Sequence, residues 1–395
     1  MDDKNGKKKI ILACEIYPPD IGGPATYASE LREQLLLHGY MITLLSFADQ
    51  SRQEKIQGGL FNINRNENVV VRSIKYALRL LTLANARSVI YGMGPVASGL
   101  TAIVVGWLQR CTVVIRVPGD RAWETHCMQE KNPESFEDFQ RKAHMGWVGL
   151  LERIEHFVVR RADQVVVPSE FLKKVVQGWG AKEDKVTVIP NAVTLPVAES
   201  SPQSSSLSIL AIGRLVPWKG LSDLLQAFQI VLKSNSEATL TIVGDGPERA
   251  RLEKLARELN VSHQTHFSGS VSRERLSYYW QRATLFALPS GYEGFPHLVL
   301  EAWAAGVPVV VSDAPGIAAI VRNGENGLVV PYHDISALSN GITALLLDRD
   351  LRNRLSEGGR RTIRQYRWDR VTGPTIQLLL KKGASCYTVC YECKE

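Results

Sequence analysis

Short runs of Val, Ile and Leu recur along this chain, each followed by a turn and then a stretch of helical period. Runs this short and this continuously apolar suit strands buried on both faces. A helix between consecutive strands then argues for parallel sheets in α/β layers. Ile10–Ala13 reads as a first strand, followed by the turn Tyr17-Pro-Pro-Asp-Ile-Gly-Gly-Pro24 and a helix from Thr26 to His38 that stops at Gly39. Met41–Phe47, Ser88–Tyr91, Thr112–Val117, Gln164–Val167 and Val186–Ile189 read as further strands, with a helix over Val96–Gln109. Residues 141–161 form a longer amphipathic stretch with Trp147, Leu150 and Phe157 among its apolar residues and Arg141, Arg153 and Arg161 among its cations.

The pattern breaks at 197–208, where Pro202 and a polar Ser/Gln run read as a linker. It then resumes with expected strands at Ser208–Ile212, Thr239–Val243, Thr265–Phe267, Leu285–Leu288 and Pro308–Val311. The expected organisation is a first domain over 1–196, a linker over 197–208 and a second domain over 209–365. Each is long enough to bury its own core.

The net charge of +7 calls for an anionic partner or a mildly basic soluble protein. Cys14, Cys111 and Cys127 read as ordinary intracellular thiols, and the apolar stretch Ile10–Ala13 is too short for a signal-peptide core. No apolar run is long enough to span a bilayer, so the expected location is cytoplasmic, or peripheral on the inner face of the membrane.

Three segments carry chemistry. Gly291-Tyr-Glu-Gly-Phe-Pro-His-Leu-Val-Leu-Glu301 predicts a helix that starts just after Gly294 with Pro296 in its first turn. The amides of Phe295, Pro296's neighbours His297 and Leu298 would form an anion site there. Glu293 falls in the loop before this helix, and Glu301 falls about 7.5 Å along it with its side chain leaning back. Two solvated glutamates flanking an ordinary helix are the alternative. Next, Ile212-Gly-Arg-Leu-Val-Pro-Trp-Lys-Gly220 follows a strand, and its Arg214 and Lys219 can neutralise a diphosphate without metal. Last, Gly244-Asp-Gly-Pro247 is half of a dinucleotide fingerprint with Arg249 where a third glycine belongs, which disfavours a nicotinamide enzyme.

Together with Gly22-Gly23, Val167-Pro-Ser169, Ile189-Pro-Asn-Ala192 and Tyr366-Arg-Trp-Asp369, these segments resemble the E-x7-E retaining glycosyltransferases of the GT-B fold (family 4, group 1 type). The resemblance covers nearly the whole chain. It implies two Rossmann-like doubly wound domains with an interdomain cleft, a helix over 366–382 crossing back to the first domain, and a tail over 383–395. It implies further that Arg214, Lys219 and the 295–298 amides bind the donor diphosphate, Glu301 the ribose and Glu293 the transferred sugar. Gly244, Gly294 and the backbone around Val271 would lie against the donor, and Gly22 and Gly23 would approach its phosphate from the other domain. Asp120 stands where many members carry a histidine, so it is the candidate catalytic helper beside Glu293, with a structural Asx turn as the alternative.

The implied activity is metal-independent, front-face transfer of a hexose from a UDP- or GDP-sugar to a glycan or lipid-linked acceptor, with no cofactor and no nucleic-acid partner. Residues 141–161 would touch an anionic membrane or pack on their own domain. Two rivals share the fold: a nucleotide-sugar epimerase-type enzyme and a catalytically silent sugar-nucleotide-binding protein. His263 and His266 read as surface residues, and Cys386, Cys390 and Cys393 as part of the tail rather than a zinc site.

Overall fold

A computed structural model describes residues 9–18, 20, 22–49, the backbone of 53–54, 59–130, 134–194 and 207–380. The chain divides into two compact units. The first contains Met1–His126, Pro133–Asn191 and the chain from Trp368 onward; the second contains Ala192–Arg367 and a short segment, Cys127–Asn132.

The first unit holds β1 (Ile10–Cys14), β2 (Ile42–Ala48), β3 (Gln53–Glu54), β4 (Leu60–Asn64), β5 (Val89–Met93), β6 (Thr112–Arg116), β7 (Gln164–Val167) and β8 (Val186–Val188). Its parallel strands run in the order β4-β2-β1-β5-β6-β7-β8, with β3 antiparallel at the β4 edge. The second unit holds β9 (Ser208–Ile212), β10 (Thr239–Val243), β11 (Thr265–Gly269), β12 (Leu285–Leu288), β13 (Val309–Ser312) and β14 (Leu328–Val330). They form one sheet in the order β11-β10-β9-β12-β13-β14, all parallel. Both sheets are therefore doubly wound. The order reverses between β1 and β5 in the first unit and between β9 and β12 in the second, and ligands of such sheets bind outside the strand ends at that switch.

The cores explain why the strands read as unbroken apolar runs. In β9, Ile209 and Ala211 pack with Leu224 and Phe228 on one face, while Leu210 packs with Val299 and Trp303 on the other. Every residue of β1 is buried. Two junctions fix where the chain changes unit. The Val193 amide donates to the Tyr366 carbonyl at 2.9 Å inside the second unit. Trp368, the first residue of helix Trp368–Leu380, donates its Nε1 to Glu30 at 2.6 Å and lies 5.4 Å from the Tyr27 ring inside the first.

Several expected elements differ. The first helix spans Gly23–Leu37, so Gly22 is its N-cap and Gly23 already belongs to it. The 141–161 stretch is not one helix: a short helix, Phe136–Gln140, ends before it, and the main helix is Gly146–Arg161. Helix Val69–Leu83 and strands β3, β4 and β14 have no counterpart in the sequence reading. The linker over 197–208 lies outside the described residues except for 207 and 208, and Ser208 is the first residue of β9. The 383–395 tail, with its three cysteines, lies outside them entirely.

Candidate donor site at the second switch point

Three loops leave the adjacent strands β9, β10 and β12 and are laced to one another. The Gly213 amide donates to Val243 at 2.9 Å, and the Leu215 amide to the Asp245 carbonyl at 2.9 Å. The Gly291 amide donates to the Trp218 carbonyl at 2.8 Å, which ties the β12 loop to the β9 loop across the switch. Gly244 makes the first lacing possible. It sits at φ 137, and a Cβ there would stand 1.9 Å from the Gly213 carbonyl oxygen, so only glycine fits.

This lacing brings the predicted charged residues together. Lys219 Nζ lies 2.6 Å from Glu293 Oε1, both largely shielded, with 16% and 13% of their side-chain surface exposed. Arg214 is exposed, with its guanidinium 5.5 Å over the Trp218 ring, and Trp218 itself is buried. Glu301 Oε1 lies 3.2 Å from His297 Nε2, one helical turn toward the N-terminus, as the lean of helical side chains dictates. His297 is 8% exposed, and neither of its ring nitrogens has a well-directed hydrogen-bond partner.

The helix itself begins later than expected. It spans His297–Ala304 with Pro296 as N-cap, at φ −82 and ψ 73, not inside the first turn. The amide set changes with it: His297 donates to Phe295 at 2.9 Å and Val299 to Pro296 at 3.0 Å in tight turns. The cap residue is a proline and makes no side-chain hydrogen bond to the first turn. Gly294, Phe295 and Pro296 are buried, and Phe295 packs edge-on against Tyr366 at 5.8 Å. Leu298 is half-buried against the core. The Glu293 backbone rests on Gly316, where a Cβ would meet the Glu293 carbonyl oxygen at 1.6 Å. Val271 packs its side chain into the core with Val243 and Trp280, which leaves only its backbone to meet a ligand.

Asp120 belongs to the first unit. It is 1% exposed. Its Oδ1 accepts from the Trp123 amide at 2.8 Å, in the manner of an N-cap of helix Arg121–Gln129, and its Oδ2 accepts from Gln140 Nε2 at 2.6 Å. Trp179 Nε1 in turn donates to Gln140 Oε1 at 3.0 Å and fixes that amide. Burial pushes the Asp120 carboxyl up to about 7. Glu155, also buried, accepts from the Arg121 and Ala122 amides at 2.9 and 3.2 Å, and burial pushes it up as well. Both oxygens of Asp120 thus serve the fold.

The sequence reading missed two carboxylates that terminate helices, Glu155 and Glu15. Glu15 Oε1, in the loop after β1, accepts from the Ala97 amide at 2.9 Å at the start of helix Ala97–Gln109. The partner is 82 positions away, so no local spacing reveals it. His263 and His266 are exposed, and Cys14, Cys111 and Cys127 are free and buried.

The fold and its strand-end loops define a two-unit, doubly wound α/β protein. Two family signatures cover most of it: "Glycosyl transferase 4-like domain" matches residues 22–192 and "Glycosyl transferases group 1" matches residues 198–362. The lipopolysaccharide core biosynthesis glycosyltransferase LpsE of Rhizobium meliloti is 30% identical over 237 residues, covering 58% of this chain and 67% of that protein. Glycogen synthase of Mycobacterium tuberculosis is 31% identical over 252 residues, 61% of each chain, so this chain matches about three fifths of that relative's length. Anabaena HepE, solved in complex with UDP-glucose, superposes with a TM-score of 0.75 at 17% identity, over 94% of this chain and 99% of that one. The chain belongs to the group 1 glycosyltransferase family, and its fold is GT-B.

Proposed function

We propose that this chain transfers a hexose from a UDP- or GDP-linked sugar to a hydroxyl of a glycan or lipid-linked acceptor, with retention of configuration. The observation that carries the reading is the Lys219–Glu293 pair, held at 2.6 Å across the switch between β9 and β12. A donor diphosphate would draw the Lys219 ammonium to itself. It would thereby free Glu293 to bind hydroxyls of the transferred sugar. Arg214 and the N-terminal end of helix His297–Ala304 add positive potential, and the charge on the leaving group is neutralised by these groups rather than by a metal. Glu301, leaning toward that same end, binds the ribose.

The likeness to HepE, whose structure holds UDP-glucose, supports a nucleotide-sugar donor, and the likeness to LpsE supports an acceptor in cell-envelope glycan assembly. Residues 141–161 would touch an anionic membrane that carries such an acceptor. Neither Glu293 nor Glu301 is assigned a covalent role. The favoured chemistry is front-face substitution, in which the acceptor oxygen enters on the side the diphosphate leaves and that phosphate takes the proton. Asp120 holds the loop beside the acceptor through the Trp123 amide and Gln140.

Incubating the chain with UDP- and GDP-sugars and reading products by mass tests this directly. We expect transfer or slow hydrolysis of one donor, lost in Glu301→Ala. Interconversion of the sugar without transfer would instead establish an epimerase. Tight binding with neither reaction would establish a silent binding protein.

A further inference from the structure

Three helices of the first unit lie side by side and turn apolar side chains outward. Helix Val69–Leu83 packs on Ala97–Gln109, where Gln109 Nε2 donates to the Leu81 carbonyl at 3.2 Å. Helix Ala97–Gln109 packs on Gly146–Arg161 so closely that a Cβ on Gly99 would meet Val158 at 3.0 Å. On the first helix, Tyr76 and Leu80 point into the core, while Val70, Ile74 and Leu78 are 64%, 54% and 58% exposed. On the second, Val104, Trp107 and Leu108 are 46%, 79% and 55% exposed. On the third, Trp147, Leu150 and Phe157 are 55%, 42% and 43% exposed. Exposed apolar side chains gathered on adjacent helices mark an interaction face.

Charge says what covers it. Helix Val69–Leu83 carries Arg72, Arg79 and Lys75, the last paired with Glu67 just before the helix at 2.6 Å, and Ala97–Gln109 carries no charge at all. The third helix has two acids, and both are occupied: Glu155 caps helix Arg121–Gln129, and Glu152 lies 2.7 Å from His144. Its cations gather instead in a pocket of about 350 Å³ lined by Arg153, His156, Phe157, Arg160 and Arg161. A second copy of the chain would set these cations against their own kind. A layer of acyl chains beneath anionic phosphate headgroups matches both the apolar strips and the basic pocket.

We propose that this three-helix layer is the surface by which the protein docks on an anionic phospholipid bilayer, with headgroup phosphate in the Arg153/Arg160/Arg161 pocket and Leu78 and Trp107 in the acyl boundary. The proposal rests on the membrane contact inferred for 141–161 and widens it to two helices outside that stretch.

Flotation of the full chain with phosphatidylglycerol/phosphatidylcholine vesicles, against phosphatidylcholine alone, tests it. Wild type should float only with the anionic vesicles. The double variants Leu78→Glu/Trp107→Glu and Arg153→Gln/Arg161→Gln should each weaken partitioning at least about tenfold. Donor binding should be unchanged in both, which verifies that they fold. If only the arginine variant loses binding, the wide face is overturned and the 141–161 contact stands. If wild type ignores anionic vesicles at low salt, both fall. If wild type sediments as a dimer that Leu78→Glu/Trp107→Glu dissociates, a second copy covers the face and the proposal is overturned.

Discussion

The two units share a strand order yet treat their switch points in opposite ways. In the first, the helix that follows the switch strand β5 already has a carboxyl partner: Glu15 Oε1 accepts from its Ala97 amide at 2.9 Å. In the second, the matching helix after β12 has at its cap Pro296, whose side chain cannot accept a hydrogen bond, and Glu293 of the Lys219–Glu293 pair stands in the loop before it. A helix end that has taken its own carboxylate has little left for a phosphate; one without a carboxylate keeps its positive potential for a ligand. The outer surfaces differ as well. Among the described residues of Ala192–Arg367 the exposed large apolar side chains are Ile230, Tyr278 and Leu347, on separate helices, whereas the first unit carries most of its own on adjacent helices. On the proposals made above, one fold would serve two ends, the second unit toward a phosphorylated donor and the first toward a membrane surface.

The largest expected effect comes from matched glycines. Gly316→Ala would drive a methyl into the Glu293 carbonyl, at 1.6 Å, and Gly99→Ala into the Gly94 carbonyl, at 2.6 Å. Each should cost more than about 2 kcal/mol of stability. Only Gly316→Ala should also raise the donor Kd by calorimetry. Equal loss of donor affinity in both would erase the contrast between the units.

Glu15→Ala should have a moderate effect. It leaves the Ala97 amide without its acceptor, at a cost of about 1 kcal/mol. That corresponds to a melting midpoint lower by about 2–4 °C. Donor affinity should hold, and a drop in it would mean that the first switch point also binds the donor.

A further effect is a pH slope. Asp120, ordinarily near 3.8, titrates at about 7 in the fold because it is buried. The folded chain therefore holds this proton more tightly than the unfolded chain does. The contribution of Asp120 to stability is greatest below about pH 4 and falls as pH rises to about 7. Asp120→Asn stays neutral throughout. Its melting midpoint, after a constant offset for the mismatched Gln140 contact, should gain on wild type across that window. A parallel pair of curves would show that Asp120 is not the titrating group.

Much of this was legible in the sequence, for a physical reason. Strands buried on both faces, such as β1 and β9, leave continuous apolar runs that no polar pattern interrupts. The charged residues after β9 and β12 stand in short segments next to glycines, so their loops could be placed at one sheet edge. Helix Val69–Leu83 leaves a weak signature because it opens on the β-branched run Val69-Val70-Val71 and its apolar stripe faces outward. Strand β4 was missed because only Leu60 of its five residues is buried. The late helix start at His297 follows from the turn that Phe295 and Pro296 make before it, which proline placement alone does not disclose.

The central claim is that the second unit's switch point holds the donor through Lys219 and its neighbours. Calorimetric titration of UDP and GDP into wild type and Lys219→Ala tests it most directly. One nucleotide should bind wild type, and its Kd should weaken at least about tenfold in the variant, as loss of a charge-assisted phosphate contact requires. Equal affinity in the two proteins would contradict the account.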